Sequence, residues 1–405
     1  MHILFLSHYF PPEVNAPASR THENTRRWVR AGHRVTVLTC VPNHPRGVAY
    51  PGYRNRLRQW EEIDGVRVLR VITYLGPNKG FARRIANYLS YLLSATVFCG
   101  LVKDVDVVVS TSPQFFCGLA GFFVSRRLKA KWVLEIRDLW PESIIAVGAL
   151  RQRQVIRLLE GIESFMYRKA DHIVSVTNSF KRHIIGRGAA DEKLSVITNG
   201  ADLETFQPRP RDEELAEEYG LRGKFVASFI GTHGMAHGLT TVLRAAASLR
   251  ENRKIVFLLV GDGAEKDNLE RQAHEMGLKN VIMLGQQPKT TMPAFLALSD
   301  VCMVLLRRDD LFRTVIPSKI FEAMAMARPI IMGVEGESLE IVERAGCGVA
   351  IEPENDRELA AAVERLAKDP QLTRELGENG RRYVVENYDR EKLARKYLEV
   401  LEEQL

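Results

Sequence analysis

At 405 residues the chain is longer than one hydrophobic core usually grows, which predicts two domains, and a make-up of 45% apolar and 26% charged residues excludes a disordered or fibrous chain. Five cysteines, Cys40, Cys99, Cys117, Cys302 and Cys347, stand singly and in odd number without metal-ligand spacing, which argues against a disulfide framework or a structural zinc site and fits a reducing cytosol. The net charge of +7 is uneven: residues 1–200 carry 29 Lys and Arg against 15 Asp and Glu, while residues 201–405 carry 28 against 35. A basic half attracts anionic lipid headgroups or nucleic acid, unless its charges are dispersed over solvated helix faces.

In chain order, MHILFLSHYF has no basic n-region and no small-residue cleavage site, so it reads as a first buried strand rather than a secretion signal. Strand-like runs VTVLTC, VRVLRVI, VDVVVS, WVLEI, HIVSV and LSVIT follow, with helical patterns between them. Ile85–Val102 carries no charge over 18 residues and follows Arg83 and Arg84. At the lower length limit for a membrane span and containing Asn87, Ser90, Ser94 and Thr96, it reads either as a helix lying in a membrane interface or as a core helix. A second series runs KFVASFI, IVFLLVG, NVIMLG, DVCMVLL, PIIMGV and GVAI, and the chain is helical from Glu354 onward.

Alternating strands and helices predict parallel, doubly wound sheets of the Rossmann-like α/β class, covered by helices on both faces. The turn-rich, charged stretch TNGADLETFQPRPRDEE puts the boundary near residue 205. The expected division is 1–205, 206–385, and a terminal segment 386–405 whose last helix has no strand left to serve and crosses back to the first domain.

In such sheets chemistry gathers in the loops after the strands. Pro317-Ser318-Lys319 follows DVCMVLL and opens a helix, so the Ser318 and Lys319 amides and the Lys319 ammonium suit a diphosphate. One turn on, Glu322 suits the vicinal diol of a ribose. Gly231-Thr232-His233-Gly234-Met235-Ala236-His237-Gly238 follows the first strand of the second series; its glycines let the backbone approach phosphates and either histidine can donate to a phosphate or sugar oxygen. Gly261-Asp262-Gly263 occupies the next such loop. In the first half, Arg137-Asp138 follows WVLEI, where Arg137 suits an acceptor phosphate and Asp138 suits an acceptor or sugar hydroxyl; capping the next helix or pairing with Arg137 is the structural alternative for Asp138. No Asp-x-Asp metal site and no nucleic-acid reader motif is present.

These residues carry a resemblance. The Gly-Asp-Gly turn, NVIMLG, MPAFLALSDV, the helix start at Glu322-Ala-Met-Ala, RPIIMG and ELGENGRRYVVENYDREKLARKYLEVL are similar to the C-terminal domain of the GT-B glycosyltransferases of family 4. HYFPPEVNAPASR, GHRVTVLT, PNHPRG and IRDLWPES resemble the bacterial surface-polysaccharide subgroup that includes N-acetyl-L-fucosamine transferases. The resemblance implies two Rossmann-like domains facing across a cleft and a retaining, metal-independent transfer from a nucleoside diphosphate sugar, UDP-linked, to a polyprenyl-diphosphate-linked sugar at the inner membrane face. It implies no cofactor and no nucleic-acid partner.

On this reading Asp138, His233 and Glu322 serve the reacting centre. Gly231, Thr232, His237, Gly261, Gly263, Pro317, Ser318 and Lys319 surround the donor, and Asn15, Arg83, Arg84 and Arg137 serve the acceptor and membrane side. The chain departs from the family where Thr314 stands in place of the first glutamate of E-x7-E, where His237 stands in place of a lysine, and where Asn15-Ala16 replaces Gly-Gly. These departures keep a noncatalytic donor-binding subunit, and an epimerase using the same pocket, as alternatives.

Overall fold

The computed structural model describes residues 1–13, 15–44, 46–76, 81–146, 148 and 150–405. Val14 and Pro45, each inside a motif quoted above, lie outside the described residues. The chain forms two compact units, Met1–Thr198 with Glu391–Leu405, and Asn199–Arg390.

The first unit runs β1 (His2–Leu6), α1 (Ala16–Arg30), β2 (Arg34–Cys40), β3 (Arg58–Ile63), β4 (Val66–Val71), α2 (Phe81–Phe98), β5 (Val107–Thr111), α3 (Phe115–Leu128), β6 (Lys131–Ile136), α4 (Glu142–Ala146), α5 (Arg153–Lys169), β7 (His172–Ser175), α6 (Asn178–Gly186) and β8 (Leu194–Val196). Among the described residues its eight strands lie in the order β3-β4-β2-β1-β5-β6-β7-β8, so the order reverses between β1 and β5. Continuous apolar runs such as VVV and ILFL are what a strand buried on both faces requires.

One strand departs from the expected parallel sheet: β3 pairs antiparallel with β4, with Ile63 opposite Val66. Asp64 and Gly65 both take positive φ (51° and 78°), the two-residue turn that Asp-Gly favours between antiparallel strands. As the edge strand β3 is partly exposed along its length and keeps charged residues, which blunts edge pairing.

The second unit runs α7 (Glu213–Glu218), β9 (Phe225–Ile230), α8 (Thr240–Ser248), β10 (Ile255–Val260), α9 (Lys266–Glu275), β11 (Val281–Leu284), α10 (Met292–Leu298), β12 (Val301–Leu305), α11 (Lys319–Ala325), β13 (Ile330–Gly333), α12 (Glu337–Ala345), β14 (Gly348–Ala350), α13 (Asp356–Lys368) and α14 (Pro370–Asn387). All its strand pairs are parallel, in the order β11-β10-β9-β12-β13-β14, and the reversal falls between β9 and β12. Side chains alternate across the sheet as the strand period demands. Ile255, Phe257 and Leu259 join the core against α8 and α13, while Val256, Leu258 and Val260 join the one against α10.

The last helix, α15 (Arg390–Glu402), packs on the first unit. Its Tyr397, Leu398, Val400 and Leu401 share a core with Ile3, Phe5, Trp28 and Val109, and the Trp28 indole N–H donates to the Ala394 carbonyl at 3.0 Å. Among the described residues no helix is long and apolar enough to cross a membrane.

Candidate functional site

In the second unit three loops converge at the C-terminal ends of β9, β10 and β12, beside the point where strand order reverses. The loops after β9 and β10 are interlocked: the His233 amide donates to the Asp262 carbonyl and the Glu265 amide to the His233 carbonyl, each at 2.9 Å. A Cβ on Gly261 would collide with the Gly231 carbonyl, and one on Gly263 with the His233 backbone. Only glycine permits that approach. The loop after β12 is tied in through the Arg307 amide, which donates to the Ala236 carbonyl at 2.8 Å.

Lys319, the first residue of α11, points into this junction. Its Nζ lies 3.5 Å from the Phe229 ring centroid and would stand 3.0 Å from a Cβ on Gly231. Lys319 Nζ, both ring nitrogens of His233 and Nδ1 of His237 are buried without a hydrogen-bond partner among the described residues. Burial pushes the Lys319 amine down to about 7, with the Glu322 carboxylate opposing the shift. Burial, reinforced by the nearby Lys319, also pulls His233 down to about 4 and His237 to about 3, so both imidazoles are neutral at pH 7. The cluster is one titrating cation flanked by neutral groups that can each donate one hydrogen bond. It is underfilled, and an anion with several acceptor oxygens would satisfy it.

The helix opening differs by one residue from the expected one. Pro317 precedes the cap residue Ser318 instead of occupying the first turn. The Ile320 and Phe321 amides close that turn on the Pro317 and Ser318 carbonyls, at 3.2 and 3.1 Å, and neither the Ser318 nor the Lys319 amide has an acceptor among the described residues. Glu322 follows within the same helix, partly buried. Thr314 ends a single 3-10 turn, its hydroxyl donating to the Leu311 carbonyl at 2.6 Å. Thr232 is exposed on the rim.

In the first unit Asp138 lies past the end of β6. Its amide and that of Arg137 both point at Ser112 Oγ, at 3.3 and 2.7 Å, and its carboxylate accepts from Ser143 Oγ at 3.1 Å. Arg137 does not pair with it: the guanidinium donates to the Ala16 and Pro17 carbonyls at 3.2 and 3.4 Å. Burial pushes the Asp138 carboxyl up to about 6, the Ser143 hydrogen bond opposing the rise and the Glu142 charge adding to it. Ser143 is held in turn, because Glu142 of α4 pairs with Arg187 at 2.5 Å, and Arg187 also reaches Glu160 at 3.1 Å. Glu142, Glu163 and His183 bring potential ligand atoms within 4.8 Å of one another, yet Arg187 already sits among these carboxylates as counter-ion.

Asn15 caps α1, its Oδ1 accepting from the Ala18 amide at 2.9 Å. Arg83 and Arg84 diverge: Arg83 is exposed, while Arg84 turns inward against Tyr88. The structure therefore groups Gly231, His233, His237, Gly261, Gly263 and Lys319 in one place, and Asp138 and Arg137 in another. Ser112, Ser143, His44 and Tyr9 join these groups without a role that the sequence assigns them, although Tyr9 lies in the loop after β1, where such sheets take ligands.

The family described as Glycosyl transferases group 1 matches residues 211–383, and that described as Glycosyl transferase 4-like domain matches residues 15–200. The chain is 24% identical to the putative colanic acid biosynthesis glycosyl transferase WcaI of Escherichia coli, over 98% of this chain and 99% of that protein. Sucrose-phosphate synthase from Thermosynechococcus elongatus superposes with a TM-score of 0.78 at 17% identity, covering 99% of this chain and 98% of the other. Anabaena HepE, solved in complex with UDP-glucose, gives 0.74 at 18% identity with both chains covered in full. These likenesses establish the GT-B fold of two Rossmann-like α/β domains.

Proposed function

We propose, from the premise that this chain belongs to the group 1 glycosyltransferases, that it moves a sugar with retention from a nucleoside diphosphate donor to a lipid-linked acceptor in bacterial surface-polysaccharide synthesis. The observation that carries the donor half is the cluster of unpartnered nitrogens on Lys319, His233 and His237 at the strand-order reversal of the second unit. A diphosphate supplies the oxygens these groups lack, and Glu322 takes the ribose diol. As the bond to the anomeric carbon breaks, charge develops on the leaving phosphate, and Lys319 with the Ser318 and Lys319 amides stabilises it. That phosphate takes up the proton of the attacking acceptor hydroxyl, and Asp138, ionised above about pH 6, orients that hydroxyl.

The likeness to HepE bound to UDP-glucose favours a UDP-linked donor, and the likeness to a colanic acid transferase favours an acceptor in surface-polysaccharide assembly. The sugar we assign is an N-acetylated amino or deoxyamino hexose, the acceptor a polyprenyl-diphosphate-linked sugar, and the place of action the inner membrane face. The excess of basic residues in 1–200 and the exposed Leu89, Leu93 and Val97 on α2 favour that site of action. Two substitutions separate the roles. Glu322→Ala is expected to weaken UDP-sugar binding by roughly tenfold or more, the loss of a charged hydrogen-bonding group. Asp138→Ala is expected to leave that affinity nearly intact while reducing turnover. Calorimetric titration beside a turnover assay checks both, and equal donor affinity in wild type and Glu322→Ala removes the donor assignment.

A further inference from the structure

The first unit holds a shallow, open pocket that the donor chemistry does not use. His8 and Tyr9 reach it from the loop after β1, Asn43 and His44 from the loop after β2, and Arg84 and Tyr88 from α2. Its place is the C-terminal end of the strands beside the order reversal, where doubly wound sheets take ligands.

Arg84 is the unusual member. Among the described residues no carboxylate lies within ion-pairing distance of its guanidinium; it rests 5.8 Å from the Tyr88 ring centroid, Nη2 donates to the Tyr88 hydroxyl at 3.4 Å, and its buried Nε has no partner. The acid of the adjoining loop, Glu13, is committed elsewhere: its carboxylate accepts the Asn43 and His44 amides at 2.9 Å each and the Phe10 amide at 3.4 Å. That commitment shapes the rim of the pocket and leaves Arg84 without a close ion-pair partner among the described residues. The imidazoles add no second charge, since burial lowers His8 to about 3 and lowers His44 too, with the Arg84 charge contributing at His44. His8 is 3% exposed, and its Nδ1 has no hydrogen-bond partner among the described residues. Tyr9 and Tyr88 supply aromatic surface, and Tyr88 lies 6.4 Å from the Trp140 ring, two residues beyond Asp138. The Arg84 charge also acts on the Asp138 carboxyl, pulling against the rise that burial causes.

One guanidinium without a close ion-pair partner among the described residues, neutral imidazole and amide groups, and aromatic walls fit a ligand that joins a phosphate to a sugar ring. We propose that this pocket binds the phosphate-bearing sugar headgroup of the acceptor, with Arg84 as the anion contact and Tyr9 and Tyr88 flanking the ring. The proposal rests on the reading above that the acceptor is a lipid-linked sugar, and it narrows the role of Arg84 on the acceptor and membrane side to contact with the acceptor itself.

The test uses the full chain saturated with UDP, so that the donor loops are filled. It is titrated with glucose 1-phosphate, with methyl α-glucoside and with geranyl diphosphate. Glucose 1-phosphate is expected to bind, and Arg84→Gln to weaken it by roughly 10- to 100-fold, with Arg84→Lys recovering part of the loss. The glucoside is expected to bind weakly and alike in wild type and variant, and Arg84-dependent binding of geranyl diphosphate identifies the lipid-linked diphosphate as the anion. An unchanged UDP affinity and melting temperature in Arg84→Gln show that the variant is folded. Equal glucose 1-phosphate affinity in wild type and Arg84→Gln, or a glucoside bound as tightly as the phosphate, overturns the proposal. In turnover assays, transfer to a lipid-linked acceptor with an acceptor KM unchanged by Arg84→Gln sinks the pocket assignment alone. Arg84-dependent binding without transfer to any lipid-linked acceptor sinks the functional reading and leaves the pocket.

Discussion

At Lys319 an ammonium is buried against Phe229 between two neutral imidazoles, so its charged form is disfavoured until an anion arrives. Because the amine titrates near 7 in the free protein and the diphosphate selects the protonated form, UDP affinity should rise as pH falls from about 8 to about 6.5, by up to roughly tenfold per pH unit above the amine's own midpoint. His233 and His237 stay neutral throughout that range, so among these three groups the slope belongs to Lys319. The same shift has a stability consequence of fixed sign. Between about 7 and the usual lysine value the unfolded chain binds more protons than the folded one, so this group destabilises the fold fully below about 7 and ceases to do so above about 10.5. Lys319→Met should therefore flatten the pH profile of UDP binding, abolish most of the affinity, and stabilise the unliganded chain at pH 6 by about 1–4 kcal/mol. Calorimetry and denaturant unfolding read both effects. A variant that binds UDP with the wild-type pH slope contradicts the role.

At the scale of elements, α2 carries two faces with different tasks. Tyr88, Tyr91, Ala95 and Cys99, in or just past the helix, are buried, while Leu89, Leu93 and Val97, four residues apart, form an exposed apolar stripe, with the exposed Arg83 six residues before it. Such a stripe beside a cation suits the interface of an anionic bilayer, and replacing Leu89 and Leu93 together by Asp should reduce co-sedimentation with phosphatidylglycerol vesicles by roughly tenfold or more without lowering UDP affinity. Retention of vesicle binding in the double variant removes α2 as the contact. The sequence announced the charge-free stretch from residue 85 but not which side of the helix it would bury, because the pattern is apolar on both. It also passed over β3, since RQWEEI is too charged to read as a strand by composition; the Asp64-Gly65 turn beside it was the available signal.

For the whole molecule, the strand succession and the loops proposed to hold the donor were legible because two of those loops follow directly on the buried strands β9 and β10, while Lys319, well beyond the end of β12, was marked by the Pro317-Ser318-Lys319 helix opening. Gly231, His233 and Gly261 needed only the rule that parallel strands end in ligand-binding loops to be singled out. Their convergence is local to one sheet. The acceptor-side pocket is different in kind: His8, His44 and Arg84 come from separate loops and a helix, brought together by the sheet order β4-β2-β1-β5, and the direction of the Arg84 side chain is settled by packing against Tyr88. Nor does spacing show that Glu13 is spent on backbone amides, or that Arg187 and Glu142 hold the segment bearing Ser143. Those facts belong to tertiary structure.

The most direct test of the account is release of nucleoside diphosphate from a panel of UDP- and GDP-sugars, with and without a polyprenyl-diphosphate-linked sugar in detergent. The account predicts release that depends on the lipid-linked acceptor, from a UDP-sugar, with the product sugar retaining its anomeric configuration. Donor binding without release under any acceptor, or release that proceeds equally without acceptor, would contradict it.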